Sequence, residues 1–167
     1  MFSIIVASGK NLEIGQNNRL LCHLSDDLKR FKQITSGHTV LMGENTYLSL
    51  PVKPLPCRRN IVLTFNKSAT YQGCEMAYSI NEAIALCPAG EEVFIMGGAS
   101  IYRQFFPLCN KLYITFMDAE FPHADVFFPE INYQEWNLTE EIFHPANDKH
   151  IYNFYYRTYV RKKKIDL

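Results

Sequence analysis

Short apolar runs rich in branched side chains recur along the chain, and no other feature constrains its fold as strongly. Most have too few polar positions to alternate, which is typical of strands buried on both faces. The runs cover residues 2–7, 40–42, 61–63, 93–96 and 112–117. Helix-like stretches lie between them, over residues 26–35, 44–50, 81–86 and 100–106. This alternation predicts the α/β class, with a mostly parallel sheet covered by helices.

The pattern changes near the end of the chain. There Tyr152, Phe154, Tyr156, Thr158 and Val160 occupy every second position. Such alternation predicts an antiparallel strand with one buried face. We expect it to pair with residues 136–144 across the turn-rich residues 145–148.

Length and charge limit the class of protein. The chain has 167 residues and no linker or repeat, so we expect a single domain over residues 1–167. Lys plus Arg and Asp plus Glu both number 17, a formal net charge of 0, which favours neither nucleic acid nor anionic lipid. We interpret the basic residues 161–164 as a solvated end, and take a monomer as the default.

The cysteines and the first segment indicate the compartment. Five widely spaced cysteines without a C-x-x-C pair suggest neither a disulfide framework nor a zinc site. Residues 1–8 lack the basic start of a signal peptide, and no run approaches the ~20 apolar residues of a membrane span. We therefore expect a cytoplasmic protein that does not contact a membrane.

One carboxylate interrupts an apolar helix face. With Ser25 as N-cap, the helical period places on one face Leu24, Asp27, Leu28, Phe31 and Ile34. A buried carboxylate needs hydrogen-bond partners, and burial raises its pKa, so Asp27 is a candidate for ligand recognition or proton transfer. The alternative is that Asp27 only stabilises the helix start.

Glycines follow two predicted strands where helices begin. Gly97-Gly98 follows residues 93–96, and Gly43 follows residues 40–42. Backbone N–H groups at such points can face a phosphate, and glycine allows close approach. A tight turn is the alternative interpretation, because the full G-x-G-x-x-G pattern is missing.

Other features bear on the chemistry. The Gly- and Asn-rich residues 9–24 form a stretch long enough to be a lid over a site. Arg58, beside Arg59, could clamp a carboxylate. The histidines lack H-x-x-x-H spacing, so we expect no catalytic metal. Ser100 lies outside a G-x-S-x-G pattern because Tyr102 takes the last position, which argues against a serine hydrolase.

Together, these segments resemble the dihydrofolate reductases from residue 2 to about residue 160. The matching segments are Ile4-Ile5-Val6-Ala7, Ile14-Gly15, Leu24-x-x-Asp27-Leu28-x-x-Phe31, Val40-Leu41-Met42-Gly43, Thr46-Tyr47-x-Ser49-Leu50-Pro51, Leu55-Pro56-x-Arg58-x-Asn60-Ile61-Val62-Leu63, Met96-Gly97-Gly98-x-x-Ile101-Tyr102, Leu112-Tyr113-Ile114-Thr115 and Asp125-x-x-Phe128-Pro129.

The resemblance implies a three-layer fold and a reaction. The fold is an eight-stranded, mostly parallel mixed sheet with an antiparallel C-terminal strand and four flanking helices. The reaction is hydride transfer from NADPH to 7,8-dihydrofolate, which gives 5,6,7,8-tetrahydrofolate for one-carbon metabolism. Asp27, supported by Thr115, would hydrogen-bond the pterin, and Leu20 would close the lid over the nicotinamide. Antifolate inhibitors would bind the same pocket.

The resemblance also implies binding residues. Ile5 and Met96 would offer backbone carbonyls to the heterocycle, and Arg58 would bind the substrate's glutamate carboxylate, with Lys53 nearby. The other substrate-binding residues would be Val6, Leu28, Phe31, Leu50 and Leu55. The cofactor-binding residues would be Ala7, Ile14, Gly15, Asn18, Leu20, Gly43, Glu44, Asn45, Thr46, Leu63, Thr64, Phe65, Met96, Gly97, Gly98, Ala99, Ser100, Ile101 and Tyr102.

Four residues depart from the family pattern. Cys22 replaces a usual tryptophan and Leu21 a common proline, which changes lid packing and inhibitor contacts. Glu44 stands where Arg or Lys usually receives the adenosine 2′-phosphate, and Phe65 replaces a polar or basic residue. Because a carboxylate repels a phosphate, we expect weak discrimination in favour of NADPH and some use of NADH. Lys67 or Arg59 could compensate.

Two alternatives stay open from sequence. One is a same-fold reductase of another heterocycle, such as the pyrimidine intermediate of riboflavin synthesis; Asp27, Phe31 and Arg58 argue against it. The other is a non-catalytic pterin binder, suggested by Cys22 and Glu44. The retained Asp27 and Gly97-Gly98 argue against this second alternative.

Overall fold

The computed structural model describes residues 1–166 of the chain. Its strands are β1 (Phe2–Ser8), β2 (Glu13–Gly15), β3 (Thr39–Gly43), β4 (Arg59–Leu63), β5 (Cys74–Ala77), β6 (Val93–Ile95), β7 (Cys109–Met117), β8 (Val126–Phe127), β9 (Trp136–His144) and β10 (Phe154–Arg161). Its α-helices are α1 (Ser25–Thr35), α2 (Glu44–Ser49), α3 (Ile80–Leu86) and α4 (Ala99–Phe105). None of these helices has the length and apolar character needed to span a bilayer.

Eight strands form one sheet in the order β5-β4-β3-β6-β1-β7-β10-β9. The strands from β5 to β7 pair in parallel, whereas β10 is antiparallel to both β7 and β9. Strands β2 and β8 form a separate antiparallel pair. The predicted α/β class, with its mostly parallel sheet and antiparallel C-terminal pair, is therefore confirmed.

Apolar side chains cover both faces of the sheet. On one face, Ile4 and Ile95 pack with Phe105 of α4 in a single buried cluster. On the other, Phe94 and Val40 pack in a second cluster to which Ile34, Leu50 and Tyr47 also belong. Both faces of β1, β3 and β6 must therefore be apolar, which explains why their sequences are nearly continuous apolar runs.

The predicted elements are present, with shifted ends. All four helices lie within one residue of their predicted bounds, and β7 begins earliest relative to its prediction, at Cys109. Ser25 is not the N-cap of α1, because the helix begins at Ser25 itself. Its N-cap is Leu24, which has no oxygen in its side chain and makes no side-chain cap. Strands β2, β5 and β8 were not predicted, because strands this short carry little periodicity.

The alternation predicted for the last strand breaks near its end. The register between β9 and β10 shifts at Thr158/Tyr159. The extra residue is Thr139 of β9, whereas β10 stays paired with β7 through Val160 without a shift. Tyr159 lies on the opposite face of β10 from Thr158 and is buried there in the cluster that contains Trp136. Val160 is exposed, so the prediction that Val160 shares the buried face was wrong. Tyr152 precedes the strand and belongs to the β9–β10 connection.

The sheet order places a crevice at the end of β1. After β1 the chain builds β3, β4 and β5 on one side and β7 and β10 on the other. Where the winding direction changes in this way, a crevice forms beyond the carboxyl ends of the parallel strands. The segments that follow β1, β3 and β6 meet there, and they carry most of the predicted site residues.

Candidate active site

Asp27 lies in the first turn of α1 and faces β7. Thr115 of β7 donates its hydroxyl hydrogen to Asp27 Oδ1 at 2.5 Å. Burial raises the pKa of Asp27, while the Thr115 hydrogen bond and the charge of Arg30 oppose the rise; the net direction is upward. Asp27 makes no side-chain cap for its helix, so the alternative of a simple helix-start residue has less support than a functional one.

An apolar cavity opens directly on Asp27. Its lining is Ala7, Ile14, Leu20, Leu21, Cys22, His23, Leu24, Asp27, Leu28 and Met117. Leu24 is buried, whereas Leu28 is 46% exposed and Leu20 is 71% exposed. The start of the predicted helix face therefore lines a cleft, whereas Ile34 further along it packs against the core. Asp27 is the only carboxylate among these residues, and a lone carboxylate in an apolar cleft suits a flat ligand with N–H donors.

The buried Tyr102 ties the two strand ends beside this cleft. Its hydroxyl hydrogen is shared between Ile5 O at 2.8 Å and Met96 O at 2.9 Å. Burial raises the pKa of Tyr102 well above its usual range, so the phenol stays neutral and acts as a donor. Each carbonyl keeps a second lone pair for another donor.

Glycines form a close junction between β3, β6 and α4, which we call the glycine cradle: Gly43, Gly97 and Gly98. The N–H of Gly43 donates to Gly97 O at 2.8 Å. Gly97 has φ of +100°, and a Cβ there would lie 2.7 Å from the Tyr102 ring. A Cβ at Gly43 would lie 3.2 Å from Ile101. Side chains at these two positions would collide with Tyr102 or crowd Ile101, so the close packing of this junction requires glycine.

Glu44 begins α2 beside the glycine cradle. Its carboxylate accepts hydrogen bonds from the hydroxyls of Thr64 at 2.8 Å and Tyr71 at 2.5 Å. These hydrogen bonds lower the pKa of Glu44, and the bond from Tyr71 contributes most. The carboxylate is therefore ionised at neutral pH. It forms no ion pair within the described residues, and Arg59 pairs instead with Glu75. Phe65 is 75% exposed.

Arg58 lies at the far end of the helix face that carries Asp27. Its guanidinium donates to Thr35 Oγ1 at 3.1 Å and to Pro56 O at 2.9 Å. It lies 5.7 Å from the ring centre of Phe31. Residues 1–166 give it no carboxylate partner. Lys53 instead donates to Leu48 O at 2.7 Å, at the end of α2.

The loop over residues 9–24 is anchored at several points. Asp125 accepts from Asn17 N–H at 3.0 Å, and its own N–H donates to Gly15 O at 3.1 Å. The buried Glu13 carboxylate accepts N–H groups from Asn11 and Phe121. Sequence reasoning missed Glu13, and it also missed Met117 and His23 in the cavity wall. The Glu13 partner Phe121 is far away in sequence, so only the fold reveals this anchor.

These features define an α/β enzyme whose cleft, at the carboxyl ends of parallel strands, suits a dinucleotide beside a polar heterocycle. A family model described as dihydrofolate reductase matches residues 1–161. The dihydrofolate reductase of Bacillus subtilis is 38% identical over 162 residues, with 97% of this chain and 95% of that protein covered. That of Neisseria gonorrhoeae is 45% identical over 138 residues, with 83% and 85% covered.

A solved structure is also similar. Dihydrofolate reductase from Enterococcus faecalis, complexed with NADP(H) and RAB-propyl, matches with a TM-score of 0.88 and 32% identity, covering 98% of this chain and 97% of that one. The chain belongs to the dihydrofolate reductase family. The predicted family and the predicted eight-stranded architecture are both confirmed.

Proposed function

We propose that the protein reduces 7,8-dihydrofolate to 5,6,7,8-tetrahydrofolate with NADPH, and that the pterin lies against Asp27. The observation that carries this proposal is the Asp27–Thr115 pair at the wall of an apolar cleft. When a hydroxyl donates to one oxygen of a carboxylate, the second oxygen is left to accept from N–H donors of a ligand. The family membership supports the same chemistry.

Asp27 manages the proton in this proposal. Reduction adds a hydride to a ring carbon and a proton to the neighbouring ring nitrogen, and the reduced nicotinamide supplies the hydride when the cofactor is bound. An ionised Asp27 favours protonation of a ring that it contacts, because opposite charges attract strongly where water is excluded. Its raised pKa keeps a proton available at a pH where an exposed aspartate has lost it.

The rest of the substrate would extend along α1. Phe31, Leu50 and Leu55 would pack the rings, and Arg58 would bind a carboxylate. Support for the last role is that Arg58 has no carboxylate partner within residues 1–166, although Thr35 and Pro56 fix its orientation. An oriented guanidinium loses less entropy when it binds a carboxylate. Lys53 is directed to Leu48 O, which argues for a minor role.

The glycine cradle fits a dinucleotide phosphate, whereas Glu44 disfavours one. The glycine cradle brings together the starts of α2 and α4, with Gly43 and Gly98 as their N-caps, and backbone N–H groups at helix starts suit a pyrophosphate. The ionised Glu44 instead repels a 2′-phosphate. We therefore propose NADPH as cofactor with weak discrimination against NADH.

The first test follows reduced-nicotinamide absorbance with dihydrofolate, in parallel runs with NADPH and NADH. Turnover with NADPH is the expected result. A folded protein without turnover with either cofactor would contradict the proposal and favour another heterocycle or a non-catalytic binder.

Glu44→Arg is expected to raise the preference for NADPH over NADH by about ten-fold, since a repulsive charge becomes an attractive one. The readout is the ratio of dissociation constants for the two cofactors, from quenching of protein fluorescence, together with the ratio of rates. Glu130→Arg is the matched control, because Glu130 is exposed and makes the same charge change elsewhere. Wild-type preference for NADPH of roughly several hundred-fold would contradict the hypothesis.

We also propose a single-domain, monomeric, cytoplasmic protein that binds no nucleic acid or membrane. All eight main strands belong to one sheet, which supports a single domain. The five cysteines are free thiols, which suits a reducing compartment. Residues 1–166 contain no cluster of three or more His, Cys, Asp or Glu side chains placed to hold a metal ion.

A further inference from the structure

The start of α1 lacks the cap that its sequence predicts. Helices need acceptors for their first N–H groups, and the N-cap side chain usually supplies one. Leu24 is the N-cap here and has no acceptor in its side chain. Since Asp27 follows within the first turn, the geometry of this turn determines where the Asp27 carboxylate lies.

A histidine from the β9–β10 connection occupies the position of the missing acceptor. The N–H of Asp26 donates to His150 Nε2 at 3.5 Å, and Ser25 Oγ lies 3.4 Å from the same nitrogen. The His150 side chain is only 1% exposed. His150 is separated from Asp26 by 124 positions in the chain, so this contact links α1 to the distant β9–β10 connection.

The same geometry indicates which ring nitrogen carries the hydrogen. Nε2 accepts from Asp26 N–H, so a neutral imidazole must hold its hydrogen on Nδ1. Nδ1 is buried without a hydrogen-bond partner, 3.9 Å from Asp26 Oδ2. That carboxylate is an acceptor, and its proximity favours the hydrogen on Nδ1.

Its surroundings hold His150 in place. Its backbone N–H donates to Asn147 Oδ1 at 3.0 Å, and its carbonyl accepts from Asn147 N–H at 2.8 Å. Its ring packs edge-on against Phe154 of β10, at 5.4 Å between centres. A ring fixed by both its turn and the sheet can position the helix that it contacts.

We propose that His150 is a positioning residue for Asp27: its imidazole, with Nε2 unprotonated, caps α1 from the β9–β10 connection and fixes the first helical turn. The kinetic consequence rests on the proposed function, whereas the tautomer and the titration of Asp27 do not. Within residues 1–166 the His150 ring makes no hydrogen bond to Asp27 or to a residue of the cavity lining, so its effect passes through the first turn of α1.

The tautomer is measured on the unaltered protein by long-range ¹H–¹⁵N correlation spectra of the histidine rings. We expect a protonated Nδ1 and an unprotonated Nε2 at His150 in neutral solution. A ring protonated on Nε2 would overturn the proposal, because that nitrogen could not accept from the helix. This measurement uses no variant, so it tests the proposal even if a His150 variant fails to fold.

The positioning role is measured with His150→Phe and His150→Gln. Phe keeps the ring volume without an acceptor, while Gln keeps an oxygen near the position of Nε2. The readout is the ¹³C titration of the Asp27 carboxyl group. We expect its pKa in His150→Phe to fall toward the ordinary aspartate value, because a loosened first turn admits water. We expect His150→Gln to restore the wild-type titration.

Kinetics provide the second readout. The loss of a helix cap predicts a fall of about five-fold in kcat/KM for dihydrofolate with His150→Phe, mainly through KM. His144→Gln is the matched control, because His144 stacks on the same Phe154 without a hydrogen bond to α1. A His150→Phe protein that is less stable but has wild-type Asp27 titration and KM would overturn the proposal, as would failure of Gln to rescue.

Discussion

Asp27→Asn is expected to lower kcat/KM for dihydrofolate at neutral pH on the order of a hundred- to a thousand-fold. The variant keeps the size of the side chain and an oxygen that can accept from Thr115, but it removes the negative charge and the titratable proton. An amide cannot favour a protonated ring, so the loss concerns the chemical step more than the fold. Steady-state rates and single-turnover hydride transfer measure it.

The pH profile gives the sign of the effect. Burial raises the pKa of Asp27 in the folded protein, so wild-type kcat/KM should fall as pH rises through that raised value. Asp27→Asn should show no such titration, and its activity should recover only toward acid, where solvent protonates the substrate. A wild-type profile that persists in Asp27→Asn would contradict the assigned role.

The raised pKa of Asp27 also predicts that Asp27→Asn is more stable than the wild type at neutral pH. The folded protein binds the Asp27 proton more tightly than the unfolded chain, so ionisation of Asp27 opposes folding. The stabilisation that protonated Asp27 contributes is complete below the ordinary aspartate pKa. It is lost as the pH rises through the raised pKa of the folded protein. Asp27→Asn should therefore have a higher free energy of unfolding at neutral pH than the wild type, by urea titration. Asp166→Asn, at an exposed carboxylate, should change neither the free energy of unfolding nor the pH profile of kcat/KM.

Thr115→Val separates the two influences on Asp27. The Thr115 hydroxyl stabilises the ionised carboxylate, and valine has nearly the same shape without the hydroxyl. We expect the apparent pKa in the kcat/KM profile to move further upward in this variant. A downward movement would show that the hydrogen bond does not stabilise the charged form.

Gly97→Ala is expected to destabilise the fold by about 2–4 kcal/mol and to weaken NADPH binding at least about ten-fold. A φ of +100° is unfavourable for alanine, and the new Cβ would lie 2.7 Å from Tyr102. The ring has no room to move, because Tyr102 is buried and its hydroxyl is bonded to Ile5 and Met96. Either the glycine cradle or the strand ends must shift.

Gly90→Ala isolates the backbone contribution. Gly90 has φ of +79°, and a Cβ there would meet nothing within 4 Å, so this control carries strain without a clash. It should cost about 1 kcal/mol and leave cofactor binding unchanged. Urea unfolding and fluorescence titration with NADPH compare the two. Equal losses in both variants would contradict the importance of the Tyr102 contact.

The sequence alone determined the helices and the central strands. Continuous apolar runs at β1, β3, β4 and β6 reflect burial on two faces, and the helical period around Asp27 placed that carboxylate on the face that lines the cleft. Both signals arise from neighbours within a few residues, because side-chain direction repeats with the local backbone geometry. The assignment to a family came from the order and spacing of the motifs.

The tertiary structure decided which distant residues meet. Thr115 and Asp27 are 88 positions apart, and their contact depends on how α1 packs against β7. Ser25 has the residue type of an N-cap, yet the cap comes from His150, because the β9–β10 connection folds back onto α1. The short strands β2, β5 and β8 are stabilised by the strands they pair with, and the bulge at Thr139 of β9 arises from its pairing with β10. Such contacts carry no local period, since they arise only when the sheet register brings remote segments together.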